Sequence, residues 1–251
     1  DLSRALARMQ QEIRRTTNKQ IEYEKMYALG ELSAGIAHEI RNPLFAVRNN
    51  LDYLERHFSQ SPDQQEIYGE MKYGLFRMSR VINAVLDFAK PHEMELESHD
   101  FQEVLQHTMA LLQKQLQKEK VTVQIDLNPE MPPVEMDFHR MEQVLVNLVT
   151  NAKNALDGKP GTIIIQGTGT DRQIVVTIED NGPGIPGEDL KYIFDPFFTG
   201  SKNGTGLGLT IVRRIIEQHH GTISVESKPG EGTRFTITLP ARQGSITNVS
   251  L

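Results

Sequence analysis

Two consecutive stretches of helical hydrophobic spacing constrain the fold of this chain most strongly. In residues 29–58 and again in residues 67–89, apolar side chains recur at three- and four-residue steps, the pattern of an amphipathic helix. Residues 59–63 between them have the composition of a turn, and Pro91 ends the second stretch. Two antiparallel helices with such broad apolar stripes cannot bury both stripes alone. The sequence therefore predicts a helical hairpin over residues 29–91 that pairs with a second copy, giving a homodimeric four-helix bundle.

A histidine and a glutamate stand side by side in the first of these helices. His38 lies two residues from both Ile36 and Ile40, which places it about 200° from the apolar stripe and directs its ring away from the core. Pro43 predicts a bend just past it. A solvated imidazole is mostly neutral at pH 7 and nucleophilic, and Glu39 is placed to accept a hydrogen bond from one ring nitrogen. The alternative, a histidine that is merely solvated, stays open on these residues alone.

Residues 1–28 carry an imperfect heptad pattern. Apolar side chains alternate at steps of four and three, but Thr16 and Gln20 are polar at seam positions. We expect a coiled coil that transmits a signal into the hairpin, with a surface helix as the alternative. The chain begins at Asp1 rather than Met, so we expect a fragment whose sensor or membrane anchor lies upstream.

Composition narrows the possible partners. A net charge of −6 argues weakly against nucleic acid or an anionic membrane as a partner. The chain has no cysteine, which excludes disulfides and thiolate chemistry, and it has no apolar run of about 18 residues that would span a bilayer. We expect a cytoplasmic location, with which the lack of cysteine is compatible, and no contact with nucleic acid or membrane by this fragment itself. Any tether to the inner membrane would lie upstream.

A second domain is predicted over residues 101–241, between an acidic linker at residues 92–100 and a flexible tail at residues 242–251. Its helices and strands mix without strict alternation, which favours an α/β sandwich with a mixed sheet and helices on one face over a doubly wound fold. The predicted helices cover residues 101–119, 137–156 and 205–219. The predicted strands cover Val121–Leu127 and residues 162–168, 174–180, 222–227 and 234–239.

Three asparagines form a polar stripe on the second predicted helix of this domain. Asn147, Asn151 and Asn154 are spaced i, i+4, i+7, so they share one helical face. Asparagine is a mediocre helix former, and three on one face favour a function. Amide oxygens suit Mg²⁺, with water and phosphates completing the shell. Three solvated amides are the alternative.

Glycine-rich turns follow two later elements. Asp180 ends an apolar strand, and Gly182 and Gly184 follow, where the backbone can approach a ligand and the carboxylate can accept from an exocyclic amine such as that of adenine. Four glycines within residues 194–209 precede a helix that is predicted to begin near Thr205, and N–H groups at a helix start favour phosphate. Each stretch alone is also typical of an ordinary turn.

In this order and spacing, the stretches resemble the catalytic core of a bacterial sensor histidine kinase, over about residues 29–240. The resemblance pairs residues 38–43 with the phospho-acceptor box, the asparagine helix with the N box, residues 180–184 with the first glycine box, residues 194–198 with the F box, residues 204–208 with the second glycine box and residues 232–233 with the last one. It implies an ATP-binding sandwich, shared with gyrase-type ATPases, attached to a dimeric helical hairpin.

The resemblance also implies residue roles. His38 would take the γ-phosphoryl group, Glu39 would act as base or orienting acceptor, and Asn42 would help polarise the phosphate or an attacking water. Asn151 would ligate Mg²⁺. The positions implied to contact ATP are Asn147, Asn151, Asn154, Asp180, Gly182, Gly184, Thr199, Lys202, Gly204, Thr205, Gly206, Leu207, Gly208 and Thr233.

One departure from the family pattern lies in the lid. Many relatives place Thr-Lys directly after Phe-Thr, whereas here Gly200 and Ser201 occupy those positions and Lys202 comes one later, so the role of this lysine stays open. The family implies transfer of the phosphoryl group to an aspartate of a separate response-regulator receiver domain, and a phosphatase activity on that regulator.

Two other functions remain as alternatives. A gyrase- or chaperone-like ATPase would use the same nucleotide sandwich but would have no use for the helix of His38 and Glu39. A catalytically silent dimeric interaction module would have no need of Asn151, Asp180 and the glycine-rich turns.

Overall fold

The computed structural model describes residues 40, 42–56, 61–89, 94–201 and 204–241. The chain divides into two compact units, Asp1–His92 and Glu93–Leu251. The predicted coiled coil over residues 1–28, the predicted tail over residues 242–251, and both His38 and Glu39 lie outside the described residues.

The described part of the first unit contains two helices, as the hairpin prediction requires. Helix α1 covers residues 42–56, and α2 covers Pro62–Ala89. Just before α2, the Ser61 hydroxyl accepts from the Gln64 N–H at 3.3 Å, and Gln64 Oε1 accepts from the Ser61 N–H at 3.3 Å. This reciprocal pair satisfies N–H groups that a helix start leaves without partners. It explains why the turn predicted over residues 59–63 gives way to a helix at Pro62.

Charged side chains pair between the two helices, whereas large apolar side chains on both helices stay exposed. Lys72 of α2 lies 2.8 Å from the Asp52 carboxylate of α1 and also contacts Glu55, so this cation ties the two helices together. Phe45 and Phe76, one from each helix, stay more than half exposed. Large exposed apolar side chains are what the predicted bundle would bury against a second copy. The homodimer itself stays a prediction.

The second unit is built on a mixed sheet. Its strands are β1 (Glu97–His99), β2 (Val121–Leu127), β3 (Val134–Met136), β4 (Gly161–Thr170), β5 (Gln173–Asp180), β6 (Thr222–Lys228) and β7 (Gly232–Pro240). The main sheet has the order β2–β4–β5–β7–β6, with β2 parallel to β4 and every other pair of neighbours antiparallel. Strands β1 and β3 form a separate antiparallel pair. The mixed sheet confirms the predicted fold class.

Three helices cover one face of this sheet. They are α3 (Phe101–Lys118), α4 (Phe138–Ala155) and α5 (Gly208–Gln218). Aspartates cap two of them: the Asp100 carboxylate accepts from the Gln102 N–H at 2.8 Å, and the Asp137 carboxylate accepts from the Arg140 N–H at 3.0 Å. Alternate strand residues and the inner faces of the helices form the core, including Val144, Leu145, Leu148, Ile163, Ile165, Ile174, Val176, Ile178, Ile237 and Leu239.

Three elements differ from the sequence prediction. Strand β1 falls inside the predicted linker over residues 92–100, and β3 was not predicted. Each is three residues long, too short for an alternation pattern, and each forms because it pairs with the other. Helix α5 begins at Gly208, three residues later than the predicted start at Thr205. Among the described residues, no helix is long and apolar enough to cross a bilayer.

Candidate functional site

Three polar side chains form a row across the end of the main sheet. Asp180 of β5 is paired with Thr233 of β7, and Thr233 is paired with Ser227 of β6. Directly opposed residues in antiparallel strands share one face, so the three side chains lie on the same side of the sheet. Asp180 and Thr233 are only 4% and 5% exposed. We call these three residues the polar row.

Asp180 is a buried carboxylate with few partners of its own. Burial raises the pKa of its carboxyl group above the usual value, and the neighbouring charge of Glu179 acts in the same direction. The backbone N–H groups of Gly182 and Thr233 oppose this shift. The Gly182 N–H donates to Asp180 Oδ1 at 2.8 Å. A buried carboxylate held in this way is suited to accept a hydrogen bond from an amine of a ligand.

The loop after Asp180 is seated tightly on the turn between β6 and β7. Gly184 has a φ of +72°, and a Cβ at this position would lie 2.1 Å from the carbonyl oxygen of Lys228. The Gly230 N–H donates to the Pro183 carbonyl at 2.7 Å, and the Ile185 N–H donates to Ser227 Oγ at 2.8 Å. Only glycine fits the conformation and the space at Gly184. We call residues 181–186 the base-side loop, because the sequence predicts an adenine beside them.

The asparagine stripe lies on α4, as predicted. Asn147 and Asn151 are half-buried and Asn154 is exposed. A Cβ at Gly182 would lie 3.3 Å from Ala155 Cβ, so the base-side loop approaches the C-terminal end of α4. A Cβ at Gly208 would lie 3.3 Å from Asn147 Oδ1, so the start of α5 approaches the same helix further towards its N-terminus. The stripe therefore runs between these two points.

A second segment leads into α5. We call residues 195–208 the phosphate-side segment, although residues 202 and 203 lie outside the described residues. Gly206 has a φ of +70°, and its carbonyl accepts from the Phe197 N–H at 3.0 Å. Thr199 Oγ1 accepts from the Ser201 N–H at 3.1 Å, and a Cβ at Gly204 would lie 2.3 Å from Thr199 Oγ1. These contacts fold the segment back on itself.

Among the described residues, no side chain caps the start of α5. Its N-cap residue is the buried Leu207, which offers no hydrogen bond from its side chain, and the Thr205 hydroxyl accepts from the Leu207 N–H at a long 3.4 Å. N–H groups at an uncapped helix start form a natural anion site. This start lies beside Asn147, one helical turn from the predicted metal ligand Asn151.

Among the other predicted site residues, Asn42 is exposed at the start of α1. Lys202, like His38 and Glu39, lies outside the described residues. Within the described ranges, no three His, Asp or Glu side chains form a group that could hold a metal ion. A metal held here would depend instead on amide oxygens and on ligand phosphates, as the donor set of α4 suggests.

Sequence reasoning missed three residues that support the site. Ser227 completes the polar row, yet a lone serine in a strand carries no signal. Lys153 of α4 is buried and pairs with Glu119 at 2.9 Å, although a lysine between two asparagines looks solvated in the sequence. His219 is 2% exposed, and its Nε2 accepts from the Asp137 N–H at 2.9 Å. The hydrophobic spacing of α5 could have predicted the burial of His219, but not its partner.

Comparison with known families gives two matches in the order that the fold shows. Residues 28–93 match the family described as His Kinase A (phospho-acceptor) domain. Residues 136–243 match the family described as histidine kinase-, DNA gyrase B-, and HSP90-like ATPase.

Named relatives match most of the chain. Sensor histidine kinase ZraS of Salmonella typhi is 38% identical over 224 residues, 88% of this chain and 48% of ZraS. Signal transduction histidine-protein kinase AtoS of Escherichia coli is 36% identical over 233 residues, 92% of this chain and 38% of AtoS. The chain thus spans about half the length, or less, of these relatives.

Solved structures agree with this assignment. The histidine kinase ThkA in complex with response regulator protein TrrA is 30% identical, with a TM-score of 0.66, over 88% of this chain and 64% of ThkA. The catalytic domain of ThkA is 36% identical, with a TM-score of 0.54, over 59% of this chain and 96% of that domain. The polar row and the asparagine stripe thus stand in an ATPase-type domain that follows a phospho-acceptor domain, and the chain belongs to the sensor histidine kinases.

Proposed function

We propose that this chain is an ATP-dependent protein histidine autokinase that phosphorylates His38 and passes the phosphoryl group to an aspartate of a separate response-regulator receiver domain. In the first step an N–P bond forms at the His38 imidazole while the bond between the β,γ-bridging oxygen and the γ-phosphorus breaks, ADP leaves, and the other ring nitrogen gives up its proton on the side of Glu39. In the second step the N–P bond breaks as the phosphoryl group moves to a carboxylate, and the ring takes up a proton, which regenerates the neutral imidazole.

The dimensions of the site support a nucleoside polyphosphate as its ligand. The base-side loop approaches α4 at Ala155, and the start of α5 approaches it at Asn147. Eight residues separate these positions, which is about 12 Å along a helix. That length suits a ligand with a base at one end and a polyphosphate at the other. Asp180 would accept from the adenine amine, Gly182 and Gly184 would leave room for the base, and Thr233 would lie beside it.

Mg²⁺ is part of this proposal. Its proposed ligand is the amide oxygen of Asn151, with Asn147 and Asn154 beside it on the same stripe. When bound, the cation supplies neutralisation of the phosphate charges. Gly204, Gly206 and Gly208 would shape the cover over the phosphates, together with Thr199, Thr205 and Leu207. Lys202 is proposed to reach the phosphates one position later than in many relatives.

The phosphoryl acceptor is proposed on the hairpin. Glu39 would hold one nitrogen of the His38 ring as base or orienting acceptor and leave the other nitrogen free to attack in line. Asn42 would polarise the phosphate or orient an attacking water, the latter being a phosphatase activity on the regulator.

The partners of the whole protein belong to the same proposal. The exposed apolar stripes of α1 and α2 support a homodimer, and the regulator would dock on the hairpin near His38. ThkA, the 30% identical relative, is recorded in complex with a response regulator protein. We propose a cytoplasmic location for these two domains, preceded by a coiled coil over residues 1–28.

The single observation that carries the proposal is the buried Asp180 carboxylate in the polar row, on an ATPase-type domain that follows a phospho-acceptor domain in one chain. The test is label transfer from γ-labelled ATP with Mg²⁺ to this chain and to its His38→Ala variant. We expect acid-labile, alkali-stable label that is lost in the variant. Steady ATP hydrolysis without protein label would favour a gyrase-like ATPase instead. Absence of both label and ATP binding would favour a silent interaction module.

A further inference from the structure

The Ser227 hydroxyl makes three hydrogen bonds in one small space. It donates to the Gly232 carbonyl at 2.7 Å, accepts from the Ile185 N–H at 2.8 Å, and lies 3.0 Å from Thr233 Oγ1. Gly232 itself is fixed, because a Cβ there would lie 1.9 Å from the Asp180 carbonyl oxygen. Ser227 therefore joins the base-side loop, the β6–β7 turn and the polar row through one oxygen atom.

The number of protons on these groups fixes the direction of each bond. A carbonyl oxygen only accepts, so the single hydroxyl proton of Ser227 is used on Gly232. An amide N–H only donates, so Ile185 occupies one lone pair of Ser227 Oγ. The remaining contact requires Thr233 to donate its hydroxyl proton to Ser227. Thr233 is left with lone pairs alone for a ligand.

Because Thr233 donates its proton to Ser227, the polar row presents only hydrogen-bond acceptors to a ligand. The ionised carboxylate of Asp180 also has only lone pairs to offer. Asp180 and Thr233 are opposed across β5 and β7 on the same face, and both are buried. A purine that presents a donor at position 6 is matched to this pair. At this edge a 6-amino group offers two N–H donors to the two acceptors, whereas a 6-oxo purine offers only its N1–H and turns the acceptor O6 towards the pair, and a buried polar group without a partner is costly.

We propose that Ser227 is a positioning residue that sets purine specificity, because it commits the Thr233 proton and thereby favours 6-amino purines over 6-oxo purines. The inference rests on the proposed nucleotide site. It goes further by naming a residue that does not touch the ligand and yet determines which base is accepted.

The test compares binding of ATP and ITP, which differ at position 6 of the purine, to the whole chain at equilibrium. For Ser227→Ala, the Thr233 hydroxyl is free to turn and donate, so we expect the preference for ATP over ITP to fall about tenfold, the size typical of one misplaced polar contact. Ser227→Thr keeps the hydroxyl and should keep the preference. Hydrogen exchange of the Ile185 amide, without nucleotide, should accelerate in Ser227→Ala only.

A double-mutant cycle shows whether Ser227 acts through Thr233. We expect Thr233→Val alone to reduce the preference for ATP over ITP. In the Thr233→Val background, Ser227→Ala should cause no further reduction in that preference. If Ser227→Ala weakens the binding of ATP and of ITP by the same factor, the inference is wrong and the serine is only structural. The same conclusion follows if Ser227→Ala reduces the preference for ATP over ITP as much in the Thr233→Val background as in the unaltered chain. If Ser227→Ala does not fold, an unchanged preference in Thr233→Val overturns the inference equally. Absence of binding of either nucleotide by the unaltered chain would overturn the proposed function itself.

Discussion

The base-side loop and the phosphate-side segment flank the same helix but are held in different ways. The base-side loop is fixed by backbone contacts to a neighbouring turn and by the buried polar row. The phosphate-side segment is folded mainly on itself, and it leaves the Phe197 side chain 57% exposed with a φ of +66°. A preformed loop suits recognition of a rigid base, because no ordering is needed on binding. A self-folded segment before an uncapped helix suits a polyphosphate, whose charge supplies the missing cap.

The largest expected effect comes from adding one methyl group to the base-side loop. In Gly184→Ala the new Cβ would meet the Lys228 carbonyl oxygen at 2.1 Å, at a φ of +72°. We expect a loss of about 3 kcal/mol or more in the free energy of unfolding of the second unit, because strain and overpacking combine. Gly230→Ala is the matched control, since its φ is +84° but nothing lies within 4 Å. It should lose only about 1 kcal/mol. Equal losses in urea titrations would show that the loop is not packed as described.

Next in size is the loss of the carboxylate that the base-side loop surrounds. We expect Asp180→Asn to weaken ATP binding about 100-fold, because the amide turns a donor towards the adenine amine. Burial raises the pKa of Asp180 in the folded state, so ionisation of this carboxyl group lowers the free energy of unfolding. This loss of stability is absent below the unfolded value near 3.8 and is fully present above the folded pKa. The variant should therefore be more stable at pH 7 while binding less. Calorimetric titration and thermal unfolding measure the two effects. The exposed Asp171→Asn serves as control, and joint loss of binding and stability would contradict the assignment.

A smaller effect is expected on the other side of α4. In Gly206→Ala the Cβ would lie 2.3 Å from the Phe197 carbonyl carbon, at a φ of +70°. We expect ATP to bind about tenfold more weakly, whereas adenosine, which has no phosphates, binds as before. Gly200→Ala, where nothing lies within 4 Å, should change neither ligand. If adenosine and ATP weaken together, the two sides of the helix are not independent.

Much of the fold could be read from the sequence because its signals are local. The three main helices and five strands of the second domain have clear hydrophobic spacing, and Val121–Leu127 has the predicted bounds. Strands β1 and β3 have no such spacing, since each exists only through pairing across more than 30 residues. The late start of α5 follows from residues 205–207, where the Gly206 backbone has a left-handed conformation that a helix does not use.

The candidate site shows the same difference between residues with a local sequence signal and residues whose role depends on distant partners. The asparagines, Asp180 and the glycines could be predicted, because their residue types and spacing carry chemical meaning. Ser227 and Lys153 could not, because a serine in a strand and a lysine in a helix are usually solvated. Ser227 matters because it lies opposite Thr233 in the β6–β7 pairing, and Lys153 because α4 packs where it can pair with Glu119 at the end of α3. Both arrangements exist only in the folded chain.

The smallest expected effect concerns the contact between α5 and α4 at the end of α5 that lies away from the proposed phosphate position. His219 Nδ1 donates to the Ile215 carbonyl at 2.7 Å, and Nε2 accepts from the Asp137 N–H at the start of α4 at 2.9 Å. Only the neutral ring can accept at Nε2. Burial lowers the pKa of His219, against the opposing effects of the Ile215 carbonyl and the Asp137 charge, while the neighbouring His220 acts with burial.

The sign of the pH dependence follows from this lowered pKa. Both folded and unfolded forms are neutral above the unfolded value near 6.5, so the full stability is present there. As the pH falls below 6.5 the unfolded chain takes up the proton first, and stability declines. We expect His219→Gln, which keeps an acceptor without titrating, to reduce the loss between pH 7 and 5.5 by about 1 kcal/mol. If hydrogen exchange at pH 5.5 accelerates at the start of α4 but not at Ile185, acid loosens the support of the phosphate side while the base side keeps its shape. Equal acceleration of hydrogen exchange at the start of α4 and at Ile185 would instead show that the base-side loop and the phosphate-side segment unfold as one cooperative unit. The two regions would then differ in geometry but not in stability.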